Sequence, residues 1–299
     1  MIKKGIILAG GHGTRMSPLT KAVNKQLLPI YDKPLIYYPL SILMLSDIRD
    51  ILIIVNKGQL SQFKKILPNG NNLGIKITYA EQKHPRGLPE AFTIGEKFIG
   101  RNNVALILGD NFFYGQNLTE KLKNCTKLQS GAKIFLHPVS NPSQYGVVKI
   151  NSKNKILKII EKPKKYLSNL AITGLYFFDN NVIKYARSLK PSKRNELELV
   201  DILKKYNKKN KLSAEWIGRG GAWLDTGSIK DFYDASSFVS TLENRQGLKI
   251  ACLEEIAYTN HWIKNKQIKS AIKFYGKSDY SNYLKKLIKW KFLILNLVA

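Results

Sequence analysis

Cysteine is scarce in this chain of 299 residues, which contains only Cys125 and Cys252. The two thiols show none of the short spacings of metal-binding cysteines, and they cannot supply the dense disulfide framework of a small secreted protein. We therefore expect both side chains to be buried or inert in a reducing cytoplasm.

Long apolar runs are also missing. Lys3 and Lys4 resemble the basic start of a signal peptide, but the apolar segment at residues 6–9 is far too short for the apolar segment of one. The apolar end, residues 290–299, is too short to span a bilayer. The sequence predicts a cytoplasmic protein without a membrane span, and it leaves open whether residues 290–299 form a docked helix or an exposed hydrophobic tail.

Acidic residues are few, since 21 Asp and Glu stand against 49 Lys and Arg and give a formal net charge of +28. A basic surface attracts nucleic acid by releasing counterions. Here the lysines are scattered in pairs, as at residues 64–65, 204–205 and 285–286, and are not clustered with aromatic residues. We expect no nucleic-acid partner, although a positive field should speed the encounter with phosphorylated ligands. A polyanion-binding module without catalytic activity is one alternative.

A glycine-rich loop, Gly10-Gly11-His12-Gly13, directly follows the apolar run at residues 5–9. Glycines let the backbone approach phosphate oxygens closely, and Arg15 and Lys25 add positive charge nearby. Met16 occupies the place of the third glycine of a dinucleotide fingerprint, and no Gly-Lys-Ser/Thr triplet of a Walker A loop follows. The pattern indicates an anion-binding loop of a different kind.

Apolar segments alternate with amphipathic ones in the first half, which is typical of a mostly parallel sheet covered by helices. The predicted strands are residues 5–9, 51–55, 75–79 and 104–108, and the predicted helices are residues 34–46, 59–67 and 88–98. Ligands of such folds bind at the carboxyl ends of the strands. The glycine loop and Gly109-Asp110 should therefore share one edge.

The second half is richer in predicted strands and ends in helices. The strands are residues 132–137, 146–150, 156–160 and 172–178, with a hairpin turn at 151–155, and the helices are residues 228–241, 254–264 and 281–289. We predict a Rossmann-like α/β catalytic domain over residues 1–235. A helical C-terminal appendage over residues 236–299 belongs to the same compact unit.

Short motifs recur in order along the chain after the glycine loop. They are residues 31–40 (Tyr-Asp-Lys-Pro-Leu-Ile-Tyr-Tyr-Pro-Leu), 108–111 (Leu-Gly-Asp-Asn), 145–148 (Tyr-Gly-Val-Val), 161–163 (Glu-Lys-Pro), 173–176 (Thr-Gly-Leu-Tyr), 196–198 (Glu-Leu-Glu), 222–227 (Ala-Trp-Leu-Asp-Thr-Gly) and 242–248 (Leu-Glu-Asn-Arg-Gln-Gly-Leu). With these motifs the chain resembles, to about residue 289, the sugar-nucleotide pyrophosphorylases, and in particular their thymidylyltransferase branch.

The resemblance implies nucleotidyl transfer, in which glucose 1-phosphate attacks the α-phosphorus of dTTP, dTDP-glucose forms and pyrophosphate leaves. Such a displacement needs no covalent enzyme intermediate, because positioning and charge stabilisation can supply the catalysis. Mg²⁺ is the implied cofactor, since it prefers carboxylate and phosphate oxygens, and Asp110 and Asp225 are its implied ligands. A pyrophosphorylase that uses UTP or another sugar 1-phosphate is the nearest alternative.

The same resemblance implies the roles of the other site residues. Catalysis is expected from Arg15, Lys25 and Lys162. Nucleotide binding is expected from Gly10, Gly11, Gly13, Thr14, Arg15, Lys25, Gln26, Gln82, Gly87 and Asp110, and sugar-phosphate binding from Tyr145, Gly146, Glu161, Lys162, Ile172 and Thr173. His12 and His84 are interpreted as loop residues and not as ligands.

The chain departs from the family pattern in its expected base and sugar pockets. Glu90 stands where a neutral amide is usual, after Pro89, which a helix accepts in its first turn. Ile172 and Val200 stand where valine and threonine are usual. We expect the sugar-pocket changes to leave activity intact.

Assembly and regulation are also implied by the resemblance alone. It implies a homotetramer and feedback by dTDP-rhamnose, the end product of the deoxysugar pathway that the reaction would feed. Residues 252–257 resemble part of the surface at which such feedback acts.

Overall fold

The computed structural model describes residues 1–11 and 13–289 of the chain. Its strands are β1 (Lys4–Ala9), β2 (Pro29–Ile30), β3 (Lys33–Pro34), β4 (Asp50–Asn56), β5 (Lys76–Gln82), β6 (Val104–Leu108), β7 (Asn111–Gly115), β8 (Ala132–Pro138), β9 (Gly146–Ile150), β10 (Ile156–Glu161), β11 (Leu170–Phe178), β12 (Leu212–Trp216) and β13 (Gly221–Asp225). Its helices are α1 (Tyr37–Leu45), α2 (Leu60–Ile66), α3 (Glu90–Ile94), α4 (Glu96–Ile99), α5 (Leu118–Thr126), α6 (Asn181–Arg187), α7 (Leu199–Lys208), α8 (Ile229–Gln246), α9 (Leu253–Thr259), α10 (Asn265–Tyr275) and α11 (Asp279–Lys289). The prediction for residues 290–299 and the interpretation of His12 lie outside the described residues.

A nine-stranded mixed sheet forms the centre of the molecule, with the strand order β10-β9-β11-β6-β1-β4-β5 and with β8 and β12 branching from β11. The strands β6, β1, β4 and β5 are mutually parallel, as the alternating pattern of the first half predicts. β11 runs antiparallel to β6, and β8 and β9 pair antiparallel with β11. The predicted α/β fold with a helical C-terminal region is confirmed.

Helices cover both faces of this sheet, which explains why its central strands are continuously apolar. Along β1, Ile7 and Ala9 contribute to one buried cluster, whereas Ile6 and Leu8 contribute to the other. Successive strand residues point to opposite faces, so each strand feeds two cores. The first cluster packs against α1, α5 and α9–α11, and the second against α3, α6 and α7.

The predicted bounds of several elements need correction. The helix expected at residues 88–98 is two short helices, α3 and α4, because Gly95 interrupts it where the chain approaches Ile6 and Leu52 of the sheet. The helix expected at 34–46 starts only at Tyr37, because Lys33–Pro34 forms a two-residue strand with Pro29–Ile30. The helix expected at 254–264 ends at Thr259, and α10 follows as a separate helix.

The C-terminal helices pack against the sheet domain. α9 contacts α1, and α10 and α11 both pack against α9. α8 runs through the predicted boundary between residues 235 and 236, and that division of the chain stays a prediction. Among the described residues, no helix is both long and apolar enough to cross a membrane.

A buried charge network ties α8 to the hairpin of β2 and β3. Lys33 is 3% exposed and donates to Glu243 of α8 at 2.8 Å, and Glu243 is 6% exposed. Lys249 also contacts Glu243, at 3.1 Å, and both lysines contact Asp32. The contacts Lys33–Glu243 and Lys249–Asp32 join residues more than 200 positions apart in the chain.

Removal of one partner from this network should destabilise the fold. We expect Glu243→Leu to lower the free energy of unfolding by about 3 kcal/mol, because two buried ammonium groups then share one carboxylate. Lys33→Met combined with Glu243→Leu should recover part of that loss. Denaturant titration measures both, with Lys204→Met in an exposed pair with Asp201 as the control, which should change stability by less than about 0.5 kcal/mol. Equal stability of Glu243→Leu and the control would contradict the assignment.

Candidate active site

The glycine loop after β1 is held by the neighbouring strand β4. Asn56 donates from Nδ2 to the carbonyl oxygen of Gly11 at 2.8 Å and accepts from the Gly11 amide at 2.9 Å. Gly11 and Gly13 have φ values of 100° and 59°, which glycine adopts at no steric cost. A Cβ at Gly11 would meet nothing within 4 Å among the described residues. The loop backbone is therefore open to a ligand.

Lys25 and Gln26 lie in a short 3₁₀ helix, Lys25–Leu27, which Asn24 caps by accepting from the Gln26 amide at 2.8 Å. The Lys25 Nζ forms an ion pair with Asp110 Oδ2 at 2.8 Å, and the Lys25 side chain is only 8% exposed. Gln26 is buried, and its Oε1 has no hydrogen-bond partner among the described residues. Lys25 thus acts on the cavity through Asp110.

Two acidic side chains meet at the carboxyl edge of the sheet. Asp110 lies two residues after the end of β6, and β7 then pairs antiparallel with β13, so that Asn111 is opposite Asp225. The backbone amide and the hydroxyl of Thr226 donate to the Asp110 carbonyl oxygen at 3.1 and 2.9 Å. The sheet edge and this ribbon therefore bring together two carboxylates from distant segments of the chain.

The proximity of these carboxylates pushes their pKa values apart. Burial and the neighbouring charge of Asp110 together raise the pKa of Asp225 to about 7. Burial also opposes ionisation of Asp110, but the charge and hydrogen bond of Lys25 and the amide of Asn111 hold its pKa below the ordinary value. Asn111 Nδ2 donates to Asp110 Oδ1 at 3.1 Å. The pair is thus one ionised carboxylate beside one that ionises near neutral pH.

The donor set at this point fits a magnesium ion that is shared with a substrate. Asp110 and Asp225 supply the hard carboxylate oxygens that Mg²⁺ prefers. The described residues contain no group of three or more His, Cys, Asp or Glu side chains that could hold a metal. Phosphate oxygens and water would therefore complete the coordination shell, as is common for Mg²⁺ at phosphate sites.

Arg15 completes the positive side of this region. Its guanidinium nitrogens Nη1 and Nη2 lie 3.0 Å from the position that a Cβ would occupy at Gly227. A Cβ at this position would crowd the guanidinium, which would have to shift by a few tenths of an ångström. Because Gly227 is two residues from Asp225, Arg15 faces the acidic pair across the mouth of the cavity, which it also lines.

A second group of side chains comes from the antiparallel strands. Gly146 of β9 pairs with Glu161 of β10, and Lys162 follows directly. The Lys162 backbone amide donates to the Tyr145 carbonyl oxygen at 2.9 Å, and Lys162 has a positive φ of 43°. A non-glycine residue in this region stores backbone strain, which is common at functional sites. Lys162 is exposed and lines the cavity.

Glu161 lies in a cluster of acidic residues around one arginine. Burial raises the pKa of Glu161, and the charge of Glu198 adds to this effect. Arg194 donates to both carboxylate oxygens of Glu198, at 2.8 and 2.9 Å, and lies 3.5 Å from Glu161. A half-buried carboxyl group beside a cation can exchange hydrogen bonds with the hydroxyl groups of a ligand.

One cavity of about 440 Å³ unites the two groups. The predicted site residues that line it are Gly10, Gly11, Arg15, Gln82, Gly87, Asp110, Tyr145, Gly146, Glu161, Lys162, Ile172, Thr173 and Asp225. The other predicted residues, Gly13, Thr14, Lys25 and Gln26, lie in the segments that follow Gly11 and do not line it. Thr173 is fully buried, and its hydroxyl donates to the Phe135 carbonyl oxygen at 3.2 Å.

Sequence reasoning missed several residues of the cavity wall. They are Asn111, Gln144, Tyr176, Arg194, Glu196, Glu198 and Trp223. Trp223 is fixed by its Nε1, which donates to Asn111 Oδ1 at 2.6 Å, and by edge contact with Tyr145 at 5.1 Å between ring centroids. Motifs at 108–111, 173–176, 196–198 and 222–227 marked most of these residues, but Arg194 and Gln144 lie outside every motif.

Comparison with known proteins agrees with this geometry. The sequence model of a family described as nucleotidyl transferase matches residues 4–241. The chain is 50% identical over 286 residues to a glucose-1-phosphate thymidylyltransferase of Neisseria meningitidis, covering 96% of this chain and 99% of that protein. It is 47% identical over 286 residues to the enzyme of the same name from Mycobacterium tuberculosis H37Rv, with the same coverage.

Two solved structures are similar in three dimensions. One is assigned as a glucose-1-phosphate thymidylyltransferase from Bacillus anthracis in complex with sucrose, with a TM-score of 0.73 and 38% identity over 79% of this chain and 94% of that one. The other is a UDP-glucose pyrophosphorylase in complex with UDP-glucose, with a TM-score of 0.71 and 28% identity over 81% of this chain and 100% of that one. Both share the sheet and its carboxyl edge with this chain.

The raised pKa of Asp225 predicts a pH dependence of stability in metal-free protein. The folded chain holds a proton on Asp225 up to about pH 7, whereas the unfolded chain releases it near its ordinary pKa of 3.8. The corresponding stability is complete below that ordinary pKa and is lost as pH rises through about 7. Relative to Asp225→Asn, the wild type should therefore lose stability between pH 5 and 8, as measured by denaturant titration with a chelator present.

The control for this measurement is Asp234→Asn, which removes an exposed carboxylate of α8. Its stability should follow the wild-type pH profile. Parallel profiles of Asp225→Asn and the wild type would contradict the raised pKa.

Proposed function

Because this chain belongs to the nucleotidyl transferase family, we propose that it makes dTDP-glucose and pyrophosphate from dTTP and glucose 1-phosphate. The observation that carries the proposal is that Asp110, Asp225, Arg15 and Lys162 all line one cavity. Relatives with 47–50% identity over nearly the whole chain carry the name of this activity. The glycine loop and Arg15 are suited to a triphosphate, and Lys162 and Glu161 are suited to a sugar phosphate.

The reaction forms one bond and breaks one. An oxygen of the sugar 1-phosphate attacks the α-phosphorus of dTTP in line with the leaving group. The bond between the α-phosphorus and the oxygen bridging to the β-phosphate breaks, and pyrophosphate leaves with that electron pair. Because the attacking phosphate oxygen is already ionised, the step needs no general base, and holding both substrates in line supplies much of the rate enhancement.

The glycine loop and its neighbours are suited to the triphosphate. A phosphate can approach the backbone of Gly11 without side-chain obstruction, since a Cβ there would meet nothing within 4 Å among the described residues, and the resemblance assigns the neighbouring backbone of Gly10, Gly13 and Thr14 to the same phosphates. Arg15 can bind two oxygens of the leaving pyrophosphate with its planar fork. Lys25 keeps Asp110 ionised, and Gln26 is packed against Gly109 at the end of β6 with an unpartnered acceptor among the described atoms.

Lys162 is the residue best placed to bridge the two substrates. Its backbone is fixed by the Tyr145 carbonyl oxygen in a strained conformation, so its position is set before any ligand arrives. An ammonium group there can neutralise the sugar phosphate in the ground state and the charge that grows on the α-phosphate oxygens in the transition state. Its neighbour Glu161 and the backbone of Gly146 then face the sugar hydroxyl groups.

Mg²⁺ belongs to this proposal as the cofactor that Asp110 and Asp225 would hold. When bound, it would neutralise charge on the triphosphate and its leaving pyrophosphate. Asn111 orients Asp110, and Lys25 balances its charge, so the two carboxylates are positioned by this chain's own contacts. Asp225 must lose its proton before it can hold the ion.

The alternative activity is a pyrophosphorylase that uses UTP or another sugar 1-phosphate. The structural similarity to a UDP-glucose pyrophosphorylase supports this alternative. The relatives with 47–50% identity favour dTTP and glucose 1-phosphate instead. Parallel assays with dTTP and UTP separate the two by the ratio of kcat/KM.

Assembly, regulation and location complete the proposal. We place the chain in the cytoplasm as a homotetramer that supplies dTDP-glucose to deoxysugar synthesis under feedback by dTDP-rhamnose. In support, both cysteines are buried free thiols, as suits a reducing compartment. Light scattering measures the mass of the assembly, and inhibition by added dTDP-rhamnose tests the feedback.

The direct test is to incubate the protein with dTTP, glucose 1-phosphate and Mg²⁺ and to measure pyrophosphate release and dTDP-glucose formation. Well-folded protein that releases no pyrophosphate would overturn the proposed activity. Omission of either substrate is the control, because a triphosphatase would release phosphate products from dTTP alone.

Loss of the Lys162 charge should separate catalysis from folding. We expect Lys162→Met to lower kcat/KM by about 100- to 1,000-fold, since one charge that stabilises the transition state is removed. Steady-state kinetics with both substrates measures this loss. Lys164→Met, an exposed lysine two residues away, is the matched control and should keep wild-type kinetics. Equal rates in both variants would remove the catalytic role of Lys162.

A further inference from the structure

The helical hairpin of α10 and α11 carries a basic surface that the proposed reaction does not use. Residues 264–289 contain eight lysines and a single acidic residue, Asp279. All eight lysines are exposed, and none of them forms an ion pair with another residue that the structure describes. We call these eight lysines the lysine face.

The helical repeat gathers the lysines of α10 on one side. Lys266, Lys269 and Lys273 recur at intervals of three and four residues, which places them one above the other along a helix. Ile268 of the same helix is fully buried in the core. Lysines that are spread along the sequence therefore form a stripe on the surface of the folded chain.

The second helix of the hairpin repeats this arrangement. Lys285, Lys286 and Lys289 of α11 are exposed, whereas Leu284 and Leu287 are buried. The two helices pack against each other, and both pack against α9. Because both helices rest on α9, their lysine stripes point away from it and together form one basic surface.

An exposed aromatic side chain lies beside these lysines. Phe274 is 75% exposed near the end of α10, next to Lys273 and three residues before Lys277 of the link to α11. Its ring meets that of Tyr275 edge-on, with 5.2 Å between the ring centroids. So large an apolar side chain gains free energy when it leaves water for hydrocarbon.

The amino-acid sequence that follows α11 is also apolar. Residues 290–299 read Trp-Lys-Phe-Leu-Ile-Leu-Asn-Leu-Val-Ala, of which eight are apolar. Such a composition gains free energy in contact with lipid, whereas the phosphate backbone of a nucleic acid offers it no hydrocarbon. Charge and composition together therefore favour a lipid surface over a nucleic acid.

We propose that the lysine face and Phe274 dock this protein on an anionic lipid surface. The negative potential of such a surface attracts clustered lysines. Stable attachment generally needs a second, apolar contribution, which Phe274 and the apolar composition of residues 290–299 favour. The inference goes beyond the proposed function and does not depend on it. The described residues of α10 and α11 do not line the cavity, so docking leaves it open to substrates.

Co-sedimentation of the full chain with lipid vesicles tests this proposal. Wild-type protein should sediment with vesicles of equal parts phosphatidylglycerol and phosphatidylcholine and not with vesicles of phosphatidylcholine alone, and binding should weaken as salt is raised. Lys266→Glu/Lys269→Glu/Lys273→Glu should weaken binding to the anionic vesicles by about 100-fold or more, because each lysine near such a surface contributes about fivefold. Phe274→Ser should weaken it by roughly fivefold and leave the salt dependence unchanged.

The matched control is Lys64→Glu/Lys65→Glu/Lys208→Glu, which reverses three exposed charges on α2 and α7 and changes the net charge equally. It should bind the anionic vesicles as the wild type does. Lys266→Gln/Lys269→Gln/Lys273→Gln, which removes the charges without reversing them, takes the place of the reversal variant if that variant folds poorly. Thermal unfolding followed by circular dichroism checks the fold of each variant.

The outcomes separate docking by this surface from a general effect of charge. Equal weakening in the α10 variant and in the control would overturn the inference, because net charge alone would then explain the binding. Wild-type protein that does not sediment with anionic vesicles would also overturn it, as would tighter binding of the lysine face to a short DNA duplex than to vesicles at equal phosphate concentration. Protein that binds the vesicles but releases no pyrophosphate from dTTP and glucose 1-phosphate would overturn only the proposed function.

Discussion

The repulsion between Asp110 and Asp225 is the constraint on which the rest of the site depends. Two carboxylates at a partly buried edge cannot both ionise at low cost, and the chain meets this with local contacts. Lys25 balances Asp110 from behind the cavity, and Asn111 orients it. The pKa of Asp225 stays raised because burial and the charge of Asp110 oppose its ionisation. A bound cation would offset this repulsion. A site poised in this way suits a reaction whose substrates carry most of the negative charge.

The sheet topology brings the cavity together from both chain halves. Parallel strands deliver the glycine loop and Asp110 to one edge, as expected for doubly wound folds. Antiparallel β11 then returns along β6, which carries Thr173 and its neighbours to the same edge. The ribbon of β7 and β13 brings Asp225 beside Asp110. The mixed sheet thus brings the residues proposed to bind the nucleotide and those proposed to bind the sugar phosphate to one cavity.

Local ion pairs, and not the net charge of the chain, determine the charge inside the cavity. The formal charge of +28 comes largely from scattered surface lysines, which favour encounter with polyphosphates. Within the cavity wall, Arg194 is matched by Glu198 and Glu161. Glu90, which contacts the wall residue Gln82, is matched by Arg86. Such buried or half-buried pairs contribute orientation more than stability, because desolvation offsets much of their attraction.

The amino-acid sequence by itself determined the strand-loop-helix order of the first half, the glycine-rich loop after residue 9 and the family, because these depend on contiguous residues and on their spacing. It also placed Asp110 at a strand end. Only the tertiary structure decided that Asp225 lies against it, that Gly95 divides a helix, that Arg194 joins the wall, and that Glu90 faces Gln82. Those features arise from contacts between segments far apart in the chain or from side-chain orientation, and neither periodicity nor local propensity carries that information.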